Sequence, residues 1–322
     1  MKGYTDYSTF LSRIFPGVKV QKLTIDAGHN CPNRDGTLGV GGCIYCNNNA
    51  FSPAYCHKSG SVTTQIANGR QFFAHKYPNM KFMAYFQAYT STHAPVSELK
   101  KAYEEAMSCP DIYGLVIGTR PDCMPDELLD YLTEVNASRM PVIVEYGVET
   151  IHNDTLRLIN RHHSAECAKQ AVFRTAKRGI AVGIHLIMGL PGETRSQMLQ
   201  TVTEVSHWPV SILKFHQLQV VKGTPLYAIW KAQQEANISA NNKSGDKYKF
   251  GDIDSSSFPV IKTFELEEYL SLCTEIVGLI PSAIAIERFT AQCPPSLLAA
   301  PCWHVKNYQF TTMLQARLRE CL

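Results

Sequence analysis

The chain has 322 residues, 45% hydrophobic and 18% charged, long enough to bury a substantial core and too apolar to be disordered throughout. Its formal charge of +3 is too small to signal a nucleic-acid partner by itself. No apolar run reaches the roughly eighteen residues of a membrane span and residues 1–7 lack the apolar core of a signal peptide, so no membrane partner and a cytoplasmic location are expected.

Short apolar runs at 20–26, 81–87, 113–118, 142–147, 181–188 and 211–218 predict strands. Amphipathic stretches at 96–108, 125–136, 165–178 and 194–207 predict the helices between them, with Leu128, Leu129 and Leu132 at the spacing of one buried helix face. This alternation implies βα units and a parallel sheet. Six such units make an α/β fold, either a partial parallel (β/α)6 TIM-like barrel or an open six-stranded sheet. Residues 1–230 are expected to form this core with an N-terminal lead-in. Residues 231–260, rich in Asn, Ser and Gly, read as a polar flexible insertion unable to bury enough surface to offset its ordering entropy. Residues 261–322 read as a short C-terminal helical extension, with helices at 263–280 and 307–321, a last strand at 283–286, and irregular cover at 288–303.

Eleven cysteines, an odd number without a signal peptide, point away from disulfides and toward metal binding for any tight group. One such group exists: Cys31, Cys43 and Cys46, in a loop with four glycines. Zinc would need a fourth ligand, which the flanking His29 or His57 could supply. A four-iron cluster on three cysteines would instead leave one iron open. The triplet alone favours neither. The other eight cysteines are scattered and read as small buried hydrophobes. Thr119-Arg120-Pro121-Asp122, Glu149 and Gly189-Leu190-Pro191-Gly192-Glu193 follow the third, fourth and fifth strands, at the carboxyl ends where parallel barrels gather their functional residues. Each also has a plain reading: Asp122 as a cap, Glu149 as a first-turn acid, Arg161 as a helix-end cation.

The order of motifs settles the choice. Gly118-Thr119-Arg120-Pro121-Asp122, Tyr146-Gly147-Val148-Glu149-Thr150, Asn160-Arg161-His162-His163, His185-Leu186-Ile187-Met188-Gly189-Leu190-Pro191-Gly192-Glu193 and Gly223-Thr224-Pro225-Leu226-Tyr227 together resemble the radical S-adenosylmethionine (radical SAM) superfamily. Within it the chain resembles the radical SAM part of the Elongator catalytic subunit and the shorter YhcC/YtqA-type proteins, over roughly residues 20–230. The resemblance implies the partial barrel, a [4Fe-4S] cluster on Cys31, Cys43 and Cys46, and S-adenosyl-L-methionine (SAM) on its open iron. In that family the reduced cluster cleaves SAM to a 5′-deoxyadenosyl radical that abstracts hydrogen from substrate. By the same resemblance Tyr45 packs on the adenine, Glu149 holds the ribose hydroxyls and Arg161 pairs with the methionyl carboxylate. His185 and the backbone through Met188 and Gly189 line ribose and adenine. Two departures stand out. Eleven residues separate Cys31 from Cys43, where most members have three, and Tyr89-Thr90-Ser91-Thr92 replaces a glycine-rich contact for the SAM amino group.

The resemblance further implies an electron donor such as flavodoxin or ferredoxin, and a transfer RNA substrate modified on a wobble uridine side chain. Lys19, Lys22, Lys58, Arg70, Lys76 and Lys81, with Phe72, Phe73 and Tyr77, form a mixture that could grip phosphates and stack an unpaired base, or be a solvated face. The rival readings are a radical SAM enzyme for a small molecule or peptide, a zinc-stabilised RNA-binding module, and an electron carrier; the last would want four cysteines.

Overall fold

The computed structural model describes residues 3–56, 60–74, 80–239, 249–250, 253–254 and 258–320. Its centre is an eight-stranded, all-parallel sheet. In chain order the strands are β1 (Thr5–Asp6), β2 (Val20–Ile25), β3 (Lys81–Phe86), β4 (Ile112–Thr119), β5 (Val142–Glu149), β6 (Ala181–Met188) and β7 (Ile212–Gln217). After them come β8 (Val220–Val221), a short antiparallel pair β9 (Lys249–Phe250) and β10 (Ile253–Asp254), then β11 (Ala285–Arg288) and β12 (Leu298–Ala300). The spatial order is β1-β11-β7-β6-β5-β4-β3-β2, with β1 and β2 at the two edges. The sheet curls into a half-barrel and does not close, as expected for a partial TIM-like barrel.

Helices α1 (Tyr7–Ile14), α2 (Val62–Ala74), α3 (Val96–Met107), α4 (Asp126–Ser138), α5 (Asn153–Leu158), α6 (Ala165–Lys177) and α7 (Arg195–Ser206) connect the strands. Further on lie α8 (Pro225–Ser239), α9 (Leu266–Leu279) and α10 (Asn307–Glu320). Among the described residues no helix is long and apolar enough to cross a membrane. Sharp starts come from side-chain caps, Ser164 for α6 and a capping box of Thr194 with Gln197 for α7.

The two faces of the sheet follow from period-two alternation. In β5, Val142, Val144, Tyr146 and Val148 join the core beneath the helices, while Glu145, Gly147 and Glu149 line an interior cavity. Val182, Ile184, Leu186 and Met188 of β6 likewise face the helices, and His185 and Ile187 face inward. Strand for strand the six expected runs are present, 181–188 with the same bounds and the others within two residues at their ends.

Three features extend the sequence reading. The strand expected near 283–286 does not stay in a separate extension: β11 pairs with β7, and β1 then pairs with β11, so the sheet has eight strands and not six. The irregular cover contains β12, which pairs antiparallel with β8. Helix α8 runs through residue 230, and Gln233 ties it to the backbone of Phe258, Pro259 and Ile261. The rest of the expected flexible insertion, at 240–248, 251–252 and 255–257, lies outside the described residues. Helix α2 had no clear signature because its packing positions include Gln65 and Gly69. A Cβ at Gly69 would come within 2.7 Å of Leu23, so glycine is what lets α2 lie against β2.

Candidate active site

The inner face of the half-barrel lines a chamber of about 820 Å³ that Cys31, Cys43 and Cys46 border together. Cys31 and Cys43 are buried and Cys46 half-buried. Burial, and after it the neighbouring Cys43 and more distant Cys31, push the Cys46 thiol up to about 12. The long loop is held by the segment after α5. Asn33 Nδ2 donates to the Asn160 carbonyl at 2.5 Å and lies 3.4 Å from Cys43 Sγ. Asn160 Nδ2 donates back to the Gly42 carbonyl at 2.8 Å, and the Ile44 amide donates to the Ile159 carbonyl at 3.1 Å. A Cβ at Gly39 would sit 2.8 Å from both Asn33 Oδ1 and His162 Nε2, so glycine there lets the arm lie close against the segment after α5.

Beside the thiols lies Arg161. Its Nη2 is 3.2 Å from Glu149 Oε1 and donates to the Gly147 carbonyl at 2.5 Å. Its Nη1 is 3.5 Å from Cys43 Sγ, and its Nε donates to His163 Nε2 at 3.0 Å. His163 must therefore be neutral with its proton on Nδ1, facing the Ser164 carbonyl at 3.2 Å. Burial first, then Arg161, push it down to about 3. The guanidinium can lie on the strand because residue 147 is glycine: a Cβ there would be 2.6 Å from Nη2. Glu149 has φ 67°, and the register shifts between Gly147 and Glu149. This local kink turns its carboxylate inward toward Arg161. Burial raises the Glu149 carboxyl against the opposing pulls of Arg161 and of the nearby Tyr45 hydroxyl.

Just after the neighbouring strand β4, Arg120 is buried in a bidentate pair with Asp122 at 2.9 and 2.7 Å. Asp122 is thus an arginine partner more than a helix cap. Arg120 Nη1 and the Thr90 hydroxyl are buried without hydrogen-bond partners, and both residues line the chamber. Polar atoms left open in this way are the sign of a site built for a polar ligand.

Beneath this level is a layer that sequence reasoning missed. Lys22 of β2 pairs with both Glu145 of β5 and Glu287 of β11. Lys214 of β7 reaches the same carboxylates at 3.4 and 3.3 Å. Tyr85 and His185 donate to Glu145 Oε2 at 2.8 and 2.7 Å. Burial pulls the Lys214 ammonium down to about 8 in spite of both carboxylates. The available signal was a charged residue amid the apolar run of each of four strands, Lys22, Glu145, Lys214 and Glu287.

Of the residues expected in the site, Tyr45, Glu149, Arg161 and His185 line the chamber with the three cysteines. Met188 and Gly189 do not. Met188 points into the helix-side core, and Gly189, at φ +88°, packs where a Cβ would come within 2.8 Å of Phe264. His185 is committed to Glu145 at the floor. Of the basic set, Lys22 is inside the barrel and Arg70 and Lys81 both pair with Asp111, so these three are not a free phosphate surface. Lys58, Lys76 and Tyr77 lie outside the described residues. Phe72 is 68% exposed at the chamber rim.

Among the described residues no three His, Cys, Asp or Glu side chains are arranged to hold a single ion. His29 does not line the chamber, and His57 lies outside the described residues. Three thiols bordering one chamber, beside unpartnered polar atoms, fit a multi-iron cluster carrying a polar cofactor.

Comparison with known proteins agrees. The chain is 36% identical over 305 residues to the protein YhcC of Escherichia coli, covering 94% of this chain and 89% of the relative. A stretch of 120 residues, 36% of this chain and 21% of the relative, is 32% identical to the tRNA uridine(34) acetyltransferase of Methanocaldococcus jannaschii. The structure of Methanocaldococcus infernus Elp3 with an N-terminal deletion superposes with a TM-score of 0.65 at 16% identity, over 94% of this chain and 63% of that one, a likeness of fold. Residues 260–320 match the Radical_SAM C-terminal domain, and residues 28–205 match the Radical SAM superfamily. More than half of the chain therefore carries the family's own pattern, on the half-barrel just described, and the protein belongs to the radical SAM superfamily of enzymes.

Proposed function

We propose that this enzyme holds a [4Fe-4S] cluster on Cys31, Cys43 and Cys46, binds SAM beside it, and modifies the side chain of a wobble uridine in transfer RNA. When bound, the cluster and SAM supply reductive cleavage and a hydrogen-abstracting radical. The chain's own residues position and shield. Arg161 offers a fork to the methionyl carboxylate, Glu149 an acceptor for ribose hydroxyls, and Tyr45 a ring for the adenine. The open Thr90 hydroxyl is suited to the SAM amino group. Electrons would come from a flavodoxin or ferredoxin.

Arg161→Ala is expected to weaken SAM binding about ten- to a hundredfold, the loss of a charge-assisted pair worth about 1.5–3 kcal/mol, while iron content stays normal. Calorimetric affinity equal to wild type would return Arg161 to a structural role.

The substrate reading is carried by one observation, the shared stretch with the tRNA uridine(34) acetyltransferase. The chamber rim suits it: Phe51, Phe72 and Tyr89 are exposed there, and the Arg34 guanidinium lies 5.7 Å from the Tyr89 ring centre. Such a rim can stack a base turned out of its strand. Cells lacking the protein are expected to show an altered set of wobble uridines by nucleoside mass spectrometry. The purified protein is expected to bind transfer RNA with an affinity that falls steeply with salt. An unchanged nucleoside profile, with no binding at low salt, would favour a small-molecule or peptide substrate.

A further inference from the structure

The chamber floor is charge-balanced except at one residue. Lys22 and Lys214 face Glu145 and Glu287, and each lysine reaches both carboxylates. Arg288, the next residue along β11, lines the same chamber but stands outside this square. Among the described residues its guanidinium meets no carboxylate. Its Nη2 lies 3.2 Å from His216 Nε2, and its Nε is buried without a partner. His216 cannot balance the charge, since burial, and after it Arg288 itself, hold that imidazole well below its ordinary pKa and therefore neutral. Gln217, also in the chamber wall, is held at both ends of its side-chain amide by the backbone of Ala291. A cation left half-buried with an open N–H is unfavourable unless something arrives to meet it. An ordinary surface arginine would carry its whole guanidinium into water, whereas here Nε is sealed in and the fork lies against a histidine.

We propose that Arg288 receives an anionic group of the substrate, a carboxylate or a phosphate, at the floor of the chamber. The planar fork of a guanidinium matches two oxygens of either group. His216 stacks on His185 at 5.6 Å, and His185 is fixed by Glu145, so the wall beside Arg288 is held in place. The assignment rests on the chamber being the reaction site and does not require the substrate to be RNA.

The test follows thermal unfolding of the full-length protein in a low-salt zwitterionic buffer, titrated with acetate or with inorganic phosphate, against chloride at matched ionic strength. A ligand that binds only the folded state raises Tm with its concentration. Wild type is expected to show a saturable rise above chloride, larger with acetate for a carboxylate site and with phosphate for a phosphoryl site. Arg288→Gln is expected to weaken that anion by about tenfold or more. Without added anion the same variant is expected to unfold no lower than wild type, because it removes an uncompensated charge. Lys214→Gln breaks the balanced square and is expected to unfold lower. Three results would overturn the assignment: no anion response above chloride in wild type, an unchanged response in Arg288→Gln, or a drop in its anion-free Tm like that of Lys214→Gln. A failed RNA reading leaves all of these outcomes unaffected.

Discussion

Serine in place of Cys31, Cys43 or Cys46 is expected to abolish iron and sulfide incorporation at each position singly, with the fold retained. The reasoning is chemical. A cluster held by only three thiolates has no spare ligand, and a serine hydroxyl is a poor substitute for a soft thiolate. Each change replaces one atom at a site bordering the open chamber, so far-UV circular dichroism is expected to stay as in wild type. Cys56→Ser is the control. Its thiol lies 3.2 Å from the Thr24 carbonyl and does not line the chamber, and burial pushes it up to about 12. Full iron in this variant, and none in the other three, is the expected pattern after anaerobic reconstitution. Near-normal iron in any one of the three would remove that cysteine from the ligand set.

Glu145→Ala is expected to cost about 3–5 kcal/mol of stability, the usual cost of breaking a buried pair from one side. The carboxylate is 1% exposed and accepts from Lys22, Lys214, Tyr85 and His185. Its removal leaves two buried ammonium groups with Glu287 alone. Urea denaturation of the apoprotein measures this, and a loss below about 1 kcal/mol would show that the square is not a stabilising unit. The pH dependence has a definite sign. Burial alone would raise the Glu145 carboxyl, but Lys214 and then Lys22 hold it well below 4.5. A depressed folded pKa gives stability that is present above the unfolded value and lost as pH falls through the folded one. Wild type is therefore expected to weaken in acid below about pH 4, and Glu145→Ala to lose this component of the acid sensitivity.

The strands were legible because buried parallel strands read as apolar runs. The cysteine loop was legible because thiols and glycines together have few structural uses. Glu149 and Arg161 were placed by resemblance, and the fold brings them to 3.2 Å. The floor was not legible. Lys22 in Val20–Ile25 looks like the polar member of a half-exposed strand, and only the spatial order β11-β7-β6-β5-β4-β3-β2 directs it at Glu145 and Glu287. The two-residue strand β1 is too short to announce itself by periodicity, and β11, though expected near 283–286, gave no sign that it would pair with β7.

Lys22 and Glu287 share an ion pair although 265 residues separate them along the chain. A chain folded only as far as β7 would leave Lys22 and Lys214 sharing one carboxylate, Glu145, and β7 as a bare sheet edge. Both defects would persist until β11 pairs with β7, and an open parallel edge is a template for unwanted pairing. The two stretches that match separate family patterns, 28–205 and 260–320, therefore share one sheet and one buried ion-pair square. The later stretch supplies a strand and a counter-charge without which the earlier one is an unfinished nascent chain.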